Sequence, residues 1–126
     1  MRILILDDDV NRHIIFKKAF IGSIITSVEK TEQCINEIIN NENLDVILLD
    51  HDLDHRIYVP SGPGTGYEVA EWLRDYPEKM PKLVLLHTCN RDGAAKMLEV
   101  IPHAKYFPAL FMKEDLNLSF LKNLIG

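Results

Sequence analysis

Within six consecutive residues, Asp50, Asp52 and Asp54 alternate with His51, Leu53 and His55. They follow the apolar run Val46 to Leu49, which is itself preceded by Asp45. A short apolar run bounded by charge reads as a strand buried on both faces, as in a parallel sheet. Residues just past such a strand lie on the edge of an open α/β sheet where ligands bind. A single aspartate there is an ordinary solvated loop residue. Three acids and two imidazoles together concentrate titratable groups in a way that points to chemistry. Two further strand-like runs end similarly: Ile3 to Leu6 in Asp7, Asp8 and Asp9, and Leu83 to Leu86 in His87, Thr88, Cys89 and Asn90.

If these ends meet, their carboxylates repel one another, so either one stays protonated or a cation binds. A site made of carboxylates, a carbonyl and water suits a hard divalent ion, Mg²⁺ or Mn²⁺. Asp7, Asp8 and Asp50 are the expected metal ligands, with Asp52 joining through its side chain or its carbonyl. An ion so held polarises a phosphoryl oxygen or lowers the pKa of a water, which makes a small phosphorylated ligand the natural partner. Water or Asp50 would attack phosphorus, and His51 or His87 would protonate the leaving oxygen. His55 is the weakest of the three imidazole candidates. Small residues from Gly62 to Gly66 precede a helix, so the amides of Gly64, Thr65 and Gly66 form a candidate phosphate cradle. Asn90 and Gly93, at the start of a later helix, offer a second set of donors.

The elements that must position these groups follow from periodicity. Strands are expected at 3–6, 24–28, 46–49, 83–86 and, briefly, 105–107. Helical spacing covers Val10 to about Ile21, with apolar positions at 10, 14, 15, 16, 19 and 20, and Thr31 to Asn41. A helix from Thr65 or Gly66 to Tyr76 carries Val69, Ala70, Trp72 and Leu73 on one side. The stripe Ala94, Met97, Leu98 and Ile101 marks another helix, and Leu116 to Ile125 a last one. Arg56 to Thr65 reads as a loop of a length that is often functional. Strands alternating with helices imply right-handed parallel crossovers. The expected fold is therefore a single α/β doubly wound, flavodoxin-like domain over 1–126, with a five-stranded parallel sheet in order 2-1-3-4-5. That order makes the first, third and fourth strands neighbours, so Asp7 and Asp8, Asp50, and His87 and Thr88 converge.

Composition agrees with this reading. The 126 residues suffice for one domain, and 47% hydrophobic with 26% charged residues is typical of a globular protein. A net charge of −5 disfavours bulk binding to nucleic acid. Cys34 and Cys89 are too few for a disulfide framework or a zinc ribbon. No apolar stretch approaches the length of a signal peptide core or a membrane span, so a cytoplasmic location is expected.

The opening Ile-Leu-Ile-Leu-Asp-Asp-Asp, the Val-Ile-Leu-Leu-Asp ending at Asp50, and Gly-Tyr-Glu-Val-Ala-Glu-Trp-Leu resemble the receiver domain of bacterial response regulators. That resemblance implies Mg²⁺ on Asp7, Asp8 and Asp50, phosphorylation of Asp50 in a phosphorelay, and a phosphate contact from Thr88. Three departures stand against it. His51 to His55 replace the usual apolar-Pro turn, Phe107 rather than lysine precedes Pro108, and Thr88 is followed by Cys89. These departures resemble the cyclic-phosphate processing receiver domain, whose marks match Leu49 to Leu53, Gly64 to Gly66, and His87, Asn90 and Gly93. The resemblance implies a metal-dependent hydrolase of a cyclic phosphate such as a cyclic nucleotide. The alternative is a stand-alone receiver with Asp50 as phosphoacceptor.

Overall fold

Alternation along the strands fixes which side of the sheet each residue serves. In the computed structural model, which describes all 126 residues, β1 (Arg2–Leu6), β2 (Ile24–Val28), β3 (Val46–Leu49), β4 (Leu83–Leu86) and β5 (Lys105–Tyr106) form one parallel sheet in the order β2-β1-β3-β4-β5. Leu4, Leu6, Ile47, Leu49, Val84 and Leu86 face α2 (Thr31–Asn40), α3 (Gly66–Asp75) and α4 (Arg91–Val100). Ile3, Ile5, Val46, Leu48, Leu83 and Leu85 face α1 (Val10–Ala19) and α5 (Leu118–Ile125). Both faces are thus covered, which is why β3 and β4 are continuously apolar. The expected order and the doubly wound architecture are what the structure has.

Register decides the site. Leu6 lies beside Leu49, and Leu49 beside Leu86. The next residues, Asp7, Asp50 and His87, therefore stand in one row across the sheet edge. Backbone bonds extend the ladder one step to hold them: Asp50 N donates to the Leu6 carbonyl (3.0 Å) and His87 N to that of Leu49 (3.1 Å).

Two expectations need adjusting. The first helix ends at Ala19 rather than near Ile21, and Val10, Ile14 and Ile15 are exposed. Phe16, Ala19 and Phe20 of the expected stripe pack inward, with His13 buried beside them. The fifth strand has only two residues, and Phe107 follows it, donating its N–H to the Leu86 carbonyl. Cys34 is buried in α2 and Cys89 is exposed, both unpaired. No helix is long and apolar enough to cross a membrane.

Candidate active site

Asp9 caps α1, accepting from the amides of Asn11 and Arg12, and so starts a helix directly after the acids. Side chains in a helix lean toward its amino terminus. Arg12, in the first turn, therefore reaches back over the strand ends. Its Nε lies 2.7 Å from Asp7 Oδ2 and its Nη2 2.8 Å from Asp7 Oδ1, a bidentate pair. The same Nη2 is 3.4 Å from Asp50 Oδ2 and 3.7 Å from Asp8 Oδ1. One residue on, His13 Nε2 donates to the Asp7 carbonyl at 2.7 Å.

Carboxylate oxygens of Asp7, Asp8 and Asp50 lie within 4.8 Å of one another. These oxygen donors, partly buried and close-set, fit a hard divalent cation. Their electrostatics differ sharply. Burial alone would raise the Asp7 pKa, but hydrogen bonds from His87 and Arg12 outweigh it and hold the carboxyl well below the usual range. Burial pushes Asp50 up to about 6, with Asp7 adding to the shift and His87 and Arg12 opposing it. Arg12 is raised in turn, chiefly by its hydrogen bonds to Asp7. His87 Nε2 sits 2.8 Å from Asp7 Oδ2, while its Nδ1 is buried without a partner. The imidazole meets the Phe16 ring edge-on at 5.4 Å.

Asp8, Asp50 and His87 form the floor of an open cleft of about 520 Å³. Arg12, Arg56, Tyr58 and Phe111 line its walls, and no lysine does. Phe107 instead packs on Phe120, with ring centroids 5.3 Å apart, and Lys113 lies over that same Phe120 ring.

Residues 2–103 match the family of the cyclic-phosphate processing receiver domain. The chain belongs to that family. No curated protein matches it. Solved receiver structures share its fold at low identity. Chemotaxis protein CheY4 of Vibrio cholerae is 16% identical with a TM-score of 0.70, over 98% of this chain and 97% of that one. A response regulator receiver domain of Rhodospirillum rubrum gives 12% and 0.70, over 99% and 91%. The BeF3-activated DrrB receiver domain from Thermotoga maritima gives 21% and 0.70, over 98% and 96%.

In this cyclic-phosphate processing receiver domain, the motif residues separate into two groups. Asp8, Asp50, Asp52, His87, Thr88 and Asn90 line the cleft, and Asp7 lies buried beneath it, beside Asp8 and Asp50. His51 does not. It is fully buried, its Nδ1 donating to Asp52 Oδ1 (2.8 Å) and its Nε2 accepting from Ser61 Oγ (2.9 Å). Asn90 Nδ2 also donates to Asp52 Oδ1 (3.0 Å) and to the Val59 carbonyl (3.2 Å), while its Oδ1 accepts from Gly93 N (3.0 Å). Burial opposes ionisation of Asp52, yet donors from Asn90, His51 and Tyr58 outweigh it and lower its pKa. Gly93 is a glycine because a Cβ there would lie 2.5 Å from the His51 ring.

The glycines before α3 stand away from the cleft. Gly64 N donates to Glu68 Oε1 (2.8 Å), Thr65 N to the Gly62 carbonyl (3.3 Å) and Gly66 N to the His51 carbonyl (2.9 Å). With every amide of the expected cradle engaged inside the protein, none is turned to a ligand. A Cβ on Gly66 would fall 1.8 Å from the Asp50 carbonyl oxygen, so this glycine permits α3 to approach the end of β3. Thr88 Oγ1 accepts from Asn90 N at 3.1 Å, and the Thr88 side chain borders the cleft.

Between the clusters runs the segment from Asp54 to Ser61. It is tied by His55 N to Asp8 Oδ2 (2.6 Å) and by Tyr58 N to Asp52 Oδ2 (2.7 Å). Asp54, His55 and Tyr58 all have positive φ, a conformation non-glycine residues hold only when their surroundings impose it. The Ile57 and Tyr58 side chains are 78% and 71% exposed.

Arg12, His13 and Ser61 are the site residues that the sequence patterns do not pick out. Arg12 was detectable in principle: an arginine in the first turn of a helix that begins beside an acidic strand end must lie over those acids.

Proposed function

We propose that the cleft binds a cyclic phosphate and hydrolyses one of its ring P–O bonds, using a divalent ion on Asp7, Asp8 and Asp50. The close-set carboxylate triad, floored in a cleft with arginine rather than lysine on its walls, is the observation that supports this reading best. An ion there supplies a Lewis acid and a water of lowered pKa. The protein's own groups do the rest. Asp7 is held ionised by His87, and Asp50 closes the opposite side of the triad. Arg12 brings positive charge to the phosphate oxygens, with Thr88 at their edge. Hydrolysis adds water across the ring bond: a P–OH forms, the ring P–O bond breaks, and the leaving oxygen takes up a proton. Water in the open cleft is the proton source, while His87 Nε2, committed to Asp7 Oδ2, keeps that acid ionised and fixed in place. His51, with both nitrogens engaged, holds Asp52 and Asn90 in place, and Asn90 in turn carries the loop that walls the cleft.

Turnover on a panel of cyclic nucleotides and other cyclic phosphates, with Mg²⁺ and with Mn²⁺, tests the reading. A hydrogen bond to a charged group is worth about 1.5 to 3 kcal/mol, so His87→Ala, which leaves Asp7 Oδ2 without its imidazole, should lose at least about tenfold in kcat while keeping metal-dependent thermal stabilisation. Acetyl phosphate should leave no stable aspartyl phosphate, because no lysine lines the cleft. Stoichiometric phosphorylation of Asp50 in mass spectra, with no cyclic phosphate turned over, would replace this proposal with a phosphorelay receiver.

A further inference from the structure

We infer that Arg12 is the resident counter-ion of the acidic triad, that a divalent ion enters by evicting it, and that the evicted guanidinium then binds the substrate's phosphate. The inference rests on the metal-dependent reading above and concerns what Arg12 does when an ion binds the triad.

A carboxylate offers about four lone-pair positions. On Asp7 all are occupied. Oδ1 accepts from Asp9 N (2.8 Å) and Arg12 Nη2 (2.8 Å), and Oδ2 from Arg12 Nε (2.7 Å) and His87 Nε2 (2.8 Å). An ion that takes Asp7 as a ligand must displace one of these donors. Asp9 N is backbone at the entry to α1 and cannot move without the helix. The His87 side chain is 1% exposed and wedged against Phe16. Arg12 is 27% exposed, lies on the cleft wall and hangs on a flexible stem. It is the one donor free to leave.

Position makes the same point. Arg12 Nη2 is within reach of Asp7, Asp8 and Asp50 together, and these are the carboxylates that converge on the candidate ion. Guanidinium and ion therefore compete for one space. Two positive charges answer three carboxylates better than one does, but the bidentate fork is matched to Asp7 in shape, so neither excludes the other outright. The evicted group has somewhere to go. Its Cζ is already 5.8 Å from the centre of the Phe111 ring, another wall of the same cleft. A guanidinium resting on an aromatic face keeps its donors free, and its planar fork suits two phosphate oxygens. Metal loading thus turns an internal ion pair into an anion site beside the ion.

The experiment compares wild type with Arg12→Met and Arg12→Lys by isothermal titration, first with MnCl₂ alone, then with inorganic phosphate on Mn²⁺-saturated protein. Hydrogen bonds to charged groups are strong enough that removing the competitor should tighten Mn²⁺ binding by at least about tenfold in Arg12→Met. Phosphate affinity should fall by at least about tenfold, with Arg12→Lys intermediate in both. If Arg12→Met is unfolded without metal, the same competition is read from Arg12→Lys, whose Mn²⁺ affinity should exceed that of wild type and whose phosphate affinity should fall below it. Equal or weaker Mn²⁺ binding in Arg12→Met overturns the eviction, and tighter Mn²⁺ binding with unchanged phosphate affinity overturns the anion step. Failure of wild type and variants alike to bind Mn²⁺ would instead remove the metal reading itself, taking this inference with it. Binding by Arg12→Met alone would support the eviction.

Discussion

Asp50 and His51 are neighbours in the chain, yet one turns toward Arg12 of α1 and the other toward Gly93 of α4. Around Asp50, three carboxylates crowd one guanidinium, and one acid is pushed up to about 6 by burial. Around His51, every polar group is matched: Asp52 receives three donors, and the ring engages through both nitrogens. The first cluster concentrates negative charge that a cation would offset. The second is complete and gains nothing from a ligand. Residue type does not distinguish them, since both are built from acids and imidazoles beside a strand end. Charge balance does: three carboxylates share one guanidinium in the first cluster, whereas in the second a single carboxylate is ringed by donors.

That contrast is most severely tested where backbone meets backbone. Gly66→Ala should leave little folded protein, a loss above about 4 kcal/mol, because neither the Asp50 carbonyl nor α3 can yield the space a Cβ needs. Chemical denaturation or simple soluble yield reads this, and a stable alanine variant would show that α3 is not docked as described. Smaller, but more discriminating, is His51→Ala. It strands Asp52 and Ser61 and opens a cavity, so a loss of about 3 kcal/mol is expected, with the Mn²⁺-induced rise in Tm preserved. Full stability with abolished turnover would make His51 a chemical residue and dissolve the contrast.

The smallest effect carries the opposite sign. Because the folded state favours protonated Asp50, its contribution to stability is fully present below the unfolded pKa of about 3.9 and is lost as pH climbs through about 6. Asp7, held low, behaves inversely: its contribution is present above about 4 and lost in acid. Without metal, Asp50→Asn should therefore be more stable than wild type at pH 7 to 8, by on the order of 2 kcal/mol, with the advantage shrinking toward pH 4. It should also lose most of the metal response, which in wild type at ten times Kd is about 1.4 kcal/mol, or a few degrees in Tm. Melting curves between pH 4 and 8, with and without Mn²⁺, measure both. An Asp50→Asn protein less stable than wild type at neutral pH would mean that Asp50 is not strained by its burial.

Much of this architecture was legible in the sequence. The apolar runs 46–49 and 83–86 could only be two-faced strands, and the order 2-1-3-4-5 brought Asp7, Asp50 and His87 into one row. The inward face of α1 was only half legible: Phe16 and Phe20 pack inward as their spacing suggests, but Val10, Ile14 and Ile15 belong to the same stripe and the fold leaves them exposed. That helix is oriented partly by Arg12 and His13 gripping Asp7, and such polar contacts leave no periodic trace. Nor could the sequence show that the amides of Gly64 to Gly66 turn inward, since the direction of an amide depends on turn geometry. Whether His51 is acid or scaffold depends on Asp52, Ser61 and Asn90, which meet only in three dimensions.

The strap from Asp54 to Ser61 has an evolutionary consequence. It is fastened to the floor by main-chain atoms and by Ser61, while Ile57 and Tyr58 project outward and take no part in either core. A mutation at 57 or 58 therefore changes what an incoming molecule meets without disturbing what holds the chain together. Asp7, Asp50 and His51 enjoy no such freedom, each being fixed by several partners at once. The rim is thus free to change, while the floor beneath it is held still.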